Sequence, residues 1–258
     1  MAIAADLGCA RSGDVRANEP PPDGKGVTLR FFRDPAPAPA LALHDIDGRA
    51  LASSGWRGKV VLINFWATWC GPCRAEIPAL VALQDKYRDR LFIVGISEDD
   101  GPIETVRQFA AAQRINYPIV MLTPEIERLL PGVSAIPTSF VLDREGRIVQ
   151  KHVGLYPRDL LELETRSLAG LPVNARVEQV DRAQPAKLDN AAQATTIPGV
   201  DLAKLSPERR VQALQRLNTE ACTCGCDFTV AKCRIDDPTC GISLPVARRI
   251  VEEIGATR

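Results

Sequence analysis

Apolar runs and helically spaced stretches alternate along the first two thirds of the chain. Residues 59–66, KVVLINFW, form a β-branched run that predicts a central strand. PCRAEIPALVALQDKY, residues 72–87, follows with helical spacing that puts Ile77, Leu80 and Val81 on one face. Pro78 sits inside it, lacks an N–H and crowds the carbonyl of Arg74, which predicts a kink. LFIVGIS is the next buried strand, PIETVRQFAAAQR a helix, YPIVML a short strand and PEIERLL a short helix. PTSFVLD and RIVQKHV read as a hairpin across DREG, and PRDLLELETRSLAG as an amphipathic helix ended by Gly170. Upstream, LALHDIDGRAL reads as a hairpin turning at Asp47–Gly48. Strands alternating with helices, then a hairpin and a last helix, predict an α/β sandwich with a mixed sheet flanked by helices.

The flanks have a different texture. Residues 1–38 read as an extended N-terminal arm, proline-rich around one strand candidate, VTLRFF. The α/β domain is placed at 39–169. Residues 170–199 lack sustained periodicity and read as a linker, with local structure around ARVEQV. A small helical module is placed at 200–258. Ser206-Pro207-Glu208 is a helix start, with a capping hydroxyl, proline in the first turn and an acid at the positive end. Val211, Leu214 and Leu217 make its apolar stripe. A second helix starts at Ser243, turns Val246, Ile250, Val251 and Ile254 inward, and is expected to stop at Gly255.

With 258 residues, 45% of them apolar, the chain can bury a core without help from disulfides. Acidic and basic residues balance at 32 each, so no broad field draws nucleic acid or an anionic membrane. No apolar run approaches the roughly 18 residues of a spanning helix. The first residues lack the cationic and long apolar segments of a secretory signal, so a signal sequence is expected to be absent from this chain. Cys9 after ADLG is placed like a lipid-attachment cysteine, but Asp6 is the wrong residue type for one, so a membrane tether stays an open alternative. Eight cysteines, five of them within the last 37 residues, favour an oxidising compartment.

In WATWCGPCRAEIP a strand feeds Cys70 into the start of a helix. The unpaired amides there favour a thiolate, and this spacing can lower a cysteine pKa to about 3.5 to 7.5. Cys70 is expected at an exposed first turn, with Cys73 one turn deeper and within bridging reach. A bridge over so small a loop adds little stability and is suited to being made and broken. Half a metal site or a static staple are the alternatives; nearby sequence supplies no further ligands, and His44 and His152 read as ordinary surface or edge histidines.

VVLINFWATWCGPCRAEIPAL resembles the active-site segment of thioredoxin-fold proteins, and within them the TlpA/ResA-like group. HDIDGRALASSGWRGKVV before it and AIPTSFVLDREGRIV after it are similar to the same group, so the resemblance covers about residues 39–169. It implies a thioredoxin-like sandwich and a thiol–disulfide oxidoreductase. Cys70 would be the attacking and Cys73 the resolving thiol, so that the working group is the Cys70–Cys73 disulfide and no cofactor is needed. Pro137 would be a cis-proline facing the pair. Ile136 and Thr138 beside it, with Trp69, Gly71 and Pro72, would contact a bound substrate strand. Thioredoxins proper have a buried carboxylate where this chain has Asn64; in the TlpA/ResA-like group a helix glutamate matching Glu76 would take the resolving thiol's proton. The Gly-Pro spacing resembles that of reducing thioredoxins, near about −270 mV. By resemblance the clients would be disulfide-bearing proteins of cytochrome c or copper-centre maturation, the electron donor a membrane thiol reductase, and the location periplasmic or otherwise extracytoplasmic.

The tail, CTCGCDFTVAKCRIDDPTC, holds Cys222, Cys224, Cys226, Cys233 and Cys240 and resembles no family. Zinc modules favour two pairs at gaps of about two to four residues, which this pattern lacks. The reading is a disulfide-stapled helical module, with the five cysteines as candidate metal ligands (copper(I) suits thiolates) or a second redox centre as alternatives. Five is odd, so one thiol stays unpaired, pairs with Cys9 or links to a partner. The rival function is a copper- or zinc-handling protein whose thiol pair keeps the tail reduced.

Overall fold

The computed structural model describes residues 23–181, 192–224 and 228–256. Cys9 and Cys226 lie outside the described residues. Strands β1 (Thr28–Phe32) and β2 (Ala36–Pro37) lead to a hairpin of β3 (Ala42–His44) and β4 (Ala50–Ala52). In its turn the Asp45 carboxylate accepts from the backbone amides of Asp47 and Arg49, and Gly48 takes a positive φ of 80°. This is the Asp-Gly chemistry the sequence announces.

The next elements are β5 (Val60–Trp66), α1 (Gly71–Lys86), β6 (Leu91–Ser97), α2 (Ile103–Ala112), β7 (Ile119–Met121) and α3 (Pro124–Leu129). Then come β8 (Ala135–Ile136), β9 (Thr138–Leu142), β10 (Arg147–Val153) and α4 (Arg158–Leu168). Six strands make the main sheet, in the order β2-β10-β9-β5-β6-β7. β5, β6 and β7 are parallel, while β9 and β10 run antiparallel to their neighbours. The sheet is therefore mixed, as expected. β5 is buried at every position. Its side chains alternate between two cores: Val61, Ile63 and Phe65 join one, Val60 and Leu62 the other. That alternation is what a strand covered on both faces requires.

The arm and the linker are less separate than the sequence suggests. β11 (Arg176–Val180) pairs in parallel with β1, from Thr28 opposite Arg176 to Phe32 opposite Val180. This pairing closes the ladder of β1 while Leu29 and Phe31 are buried in the second core. A lone strand would leave both side chains and its backbone groups in water.

The C-terminal module holds β12 (Gln193–Ala194), α5 (Pro207–Thr219), α6 (Val230–Asp236) and α7 (Ser243–Ala256). The Ser206 hydroxyl caps α5 by accepting from the amide of Arg209. α7 runs one residue past Gly255. The short α6, capped by Thr229, lies among the tail cysteines, where no helix was expected. The module's core contains Leu214, Leu217, Val230 and Ile250, and it also takes in Ala135 of β8 and the flank of Trp69. It is packed against the α/β domain.

Candidate active site

Cys70 is the N-cap of α1, in extended backbone, and its Sγ accepts from the amide of Cys73 at 3.2 Å. Gly71 and Pro72 follow. Proline in the first turn forfeits no helical hydrogen bond, because those amides have no partner within the helix. Cys70 and Cys73 are joined in a disulfide. The loop before them is tied down from β6: the Thr68 amide donates to Asp99 Oδ2 at 3.0 Å and its hydroxyl to Asp99 Oδ1 at 2.5 Å. Asp99 has no sequence signature, and its role was not foreseen.

The Ile136–Pro137 bond is cis. Ile136 belongs to the same buried cluster as Cys70 and Cys73, with Trp69 packed on it. Thr138 donates its hydroxyl to the carbonyl of Ala135 at 2.6 Å, and the Pro137 carbonyl accepts from the amide of Gly154. The fold thus brings Trp69, Cys70, Cys73, Ile136, Pro137 and Thr138 to one end of the sheet. Gly71 is exposed and Pro72 half-buried there.

Cys70 is not exposed as expected: it is 0% accessible. Its neighbours in the same buried cluster, Ile136 and Trp69, are themselves engaged by the C-terminal part of the chain. β12 pairs antiparallel with β8, Gln193 opposite Ile136 and Ala194 opposite Ala135. Thr195 and Thr196 continue the ladder by donating to the carbonyl of Ser134. Trp69, next to Cys70, packs against the core of the helical module. The backbone beside Pro137, where the resemblance implies a client strand, is occupied by a segment of this same chain. A two-residue strand carries no periodic signal, so the sequence could not disclose it.

Glu76 lies three residues after Cys73 on α1 and is 3% exposed. Residues three apart share a helix face. Asn64 of β5 donates its amide to Glu76 Oε2 at 3.0 Å and to the Ser139 hydroxyl at 2.9 Å. The Tyr156 amide reaches Glu76 Oε1 at 3.4 Å. Burial pushes the carboxyl up to about 7, against the pull of these two donors. Beyond it Tyr156 donates to Glu164, which also holds His152 at 2.8 Å. His152 is a buried network member and not an ordinary edge histidine.

A disulfide at a helix start, in one buried cluster with the residue that precedes a cis-proline and three residues from a buried carboxyl, fits a dithiol–disulfide site on a thioredoxin-like fold. The AhpC/TSA family model matches residues 35–151. The thioredoxin-like protein YneN of Bacillus subtilis is 35% identical over 127 residues, 48% of this chain and 74% of that protein. The thiol-disulfide oxidoreductase ResA of Bacillus thuringiensis is 30% identical over 126 residues, 48% of this chain and 72% of that one. A solved thiol:disulfide interchange protein of Chlorobium tepidum aligns with a TM-score of 0.50 at 34% identity, over 53% of this chain and 98% of its own. The chain belongs to the thioredoxin-like thiol-disulfide oxidoreductases of the ResA kind. The C-terminal module lies outside the family match.

Among the described residues, no helix is long and apolar enough to cross a membrane. The tail cysteines Cys222, Cys224, Cys233 and Cys240 meet inside the module. No disulfide joins any two of them, contrary to the stapled module the sequence suggested. Hydrogen bonding to Ser243 draws the Cys240 thiol down to about 6, while burial pushes that of Cys233 up.

Proposed function

We propose that this protein reduces disulfides in protein clients outside the cytoplasm, with Cys70 as attacking and Cys73 as resolving thiol. The observation that carries the reading is the placement of Glu76: a buried carboxyl near neutral pKa, one helical turn from Cys73. A group with that pKa can hold a proton or accept one under working conditions.

The Cys70 thiolate attacks one sulfur of the client disulfide, forms a mixed disulfide and expels the other client sulfur as a thiolate, which takes a proton from water. Cys73 gives its proton to Glu76 and attacks Cys70. The client's second sulfur leaves and is protonated. The client has gained two electrons and two protons, and Cys70–Cys73 is left oxidised. Two electrons from a membrane thiol reductase would restore it. Trp69, Gly71 and Pro72 border the reacting sulfurs. Ile136 and Thr138 would take up the client strand once β12 has moved aside. Proteins of cytochrome c or copper-centre maturation fit as clients, and the cysteine-rich tail fits an extracytoplasmic setting.

The test is trapping. A Cys73→Ser chain should retain clients bound to Cys70 as adducts released by dithiothreitol, and a Cys70→Ser/Cys73→Ser chain should retain none. Equal capture by the two chains would refute the assignment.

A further inference from the structure

Four thiols converge in the C-terminal module from three separate segments. Cys222 and Cys224 lie in the loop after α5, Cys233 in α6 and Cys240 in the turn before α7. Their sulfurs all lie within 4.8 Å of one another. Cys222 and Cys224 are 3.3 Å apart, and Cys224 and Cys233 3.8 Å. We propose that Cys222, Cys224, Cys233 and Cys240 form a tetrathiolate site for one zinc ion, distinct from the Cys70–Cys73 pair.

The geometry fits a tetrahedron. Zinc–sulfur bonds of about 2.3 Å place neighbouring sulfurs about 3.8 Å apart, so small side-chain adjustments would close the shell. A multi-iron cluster spreads its sulfur ligands wider than this. The backbone sets the convergence. Ala221 bridges Thr229, the Cys222 amide donates to the carbonyl of Phe228, and the Val230 amide to that of Glu220. These bonds fold the first two cysteines back onto the start of α6. The Cys240 amide is held by the carbonyl of Asp237. The sequence spacing differs from that of paired zinc knuckles because the ligands are gathered by tertiary turns.

A second observation concerns charge. Arg234, next to Cys233 on α6, is 4% exposed. Its guanidinium donates to the carbonyls of Pro198 and Pro238 and to the Ser243 hydroxyl, all neutral, and no carboxylate pairs with it among the described residues. The same Ser243 hydroxyl reaches the carbonyl of Cys240 at 3.3 Å. A buried cation without a counter-charge is costly. Zinc binding displaces whatever protons the four thiols still hold and leaves a centre of net charge −2, which supplies one. No electron moves in this step. Soft thiolates in a tetrahedral set select zinc among common divalent ions. The ion would lock α5, α6 and α7 together, and their shared core is the one that holds Ala135 and Trp69.

The full chain, purified under reducing conditions, is expected to carry one zinc per molecule, released when a mercurial titrates the thiols. Exchange with Co(II) should give the intense thiolate-to-metal charge transfer and d–d bands of a tetrahedral sulfur site. Cys70→Ser/Cys73→Ser should keep these bands, and Cys233→Ser/Cys240→Ser should lose them. Alkylation of the unmutated chain guards against misfolding in the latter: the tail thiols should react at least about ten-fold faster once zinc is stripped. Less than about one-tenth of a zinc per chain with no Co(II) spectrum would overturn the proposal. So would tail cysteines found as two disulfides, or uptake of Cu(I) by a chain that refuses Zn(II) and Co(II). None of these outcomes bears on trapping at Cys70.

Discussion

Asn218 of α5 holds both backbone groups of Ala194. The Ala194 amide donates to Asn218 Oδ1 at 2.7 Å, and Asn218 Nδ2 donates to the Ala194 carbonyl at 2.9 Å. On its other edge Ala194 pairs with Ala135 of β8, two residues before Pro137. One side-chain amide thus completes, on the outside, the ladder by which the chain covers the edge proposed to receive a client strand.

Removing that grip should open the site. Two hydrogen bonds at about 1 kcal/mol each are worth about 2 kcal/mol, or roughly 30-fold in the population of the uncovered form. Reduced Asn218→Ala is expected to show Cys70 alkylation faster by about ten- to thirty-fold, and faster reduction of a folded protein disulfide, with its helical circular dichroism retained. An alkylation rate equal to that of the unmutated chain would mean that β12 does not limit access.

Gly95 of β6 is a packing constraint next to the site. A Cβ there would lie 2.8 Å from Trp66 Nε1 and 3.3 Å from Tyr117 Cε2. Both rings are buried, and Trp66 packs against Phe109 at 5.4 Å between centroids. Gly95→Ala is expected to cost about 1–3 kcal/mol through forced displacement of the indole. A denaturant midpoint unchanged from that of the native chain would show that the rings have room to move.

What the sequence disclosed follows the range of the interactions concerned. β5, α1 and β6 were legible because apolar period is local, and the Cys70–Cys73 pair because a helix start and its thiols lie within four residues of each other. Glu76 needed the resemblance, since nothing local says that it faces Asn64 on another element. The burial of Cys70 was hidden because β12 and the helical module, which engage its neighbours Ile136 and Trp69, lie far along the chain. The four-thiol cluster was hidden because the turn that closes it, Ala221 against Thr229, is a tertiary contact. The β1–β11 pair was half legible: each strand could be suspected, but not their partnership.

The raised pKa of Glu76 has a defined sign for stability. Well below its ordinary value of 4.5 the carboxyl is protonated in both folded and unfolded chains, and the folded state has its full stability. As pH rises from 4.5 towards about 7 the unfolded chain releases its proton while the buried carboxyl still holds its own, so stability falls, and the loss is complete once pH has passed the folded value of about 7. The loss is on the order of 3 kcal/mol for a fully buried group. Glu76→Gln keeps the shape and never ionises. Its melting point should match that of the native chain under acid conditions, exceed it increasingly between about pH 4.5 and 7, and keep a constant margin above that. The same variant should flatten the pH dependence of product release from a preformed mixed disulfide, while alkylation of Cys70 stays unchanged. Parallel melting curves at all pH values would show that Glu76 titrates normally.

Asn64 tunes that carboxyl. Its amide is one of the two donors that favour the ionised form of Glu76 and oppose the effect of burial. Asn64→Leu fills the same space, admits no water and removes the donor, so the Glu76 pKa should move further up. Less carboxylate is then present at neutral pH to take the proton of Cys73. Resolution of the mixed disulfide should slow there and recover at higher pH, whereas the first attack by Cys70, which precedes any demand on Glu76, should keep its rate. Asn64→Asp separates this account from a packing defect: it adds a second buried acid beside Glu76, and two adjacent carboxyls cannot both ionise cheaply. Its release profile should therefore also shift to higher pH, although its volume is almost that of asparagine. Stopped-flow release measured across the pH range for Asn64→Leu and Asn64→Asp decides the matter. A shift in the leucine chain alone would assign the effect to lost shape, and a shift in both assigns it to the charge on Glu76.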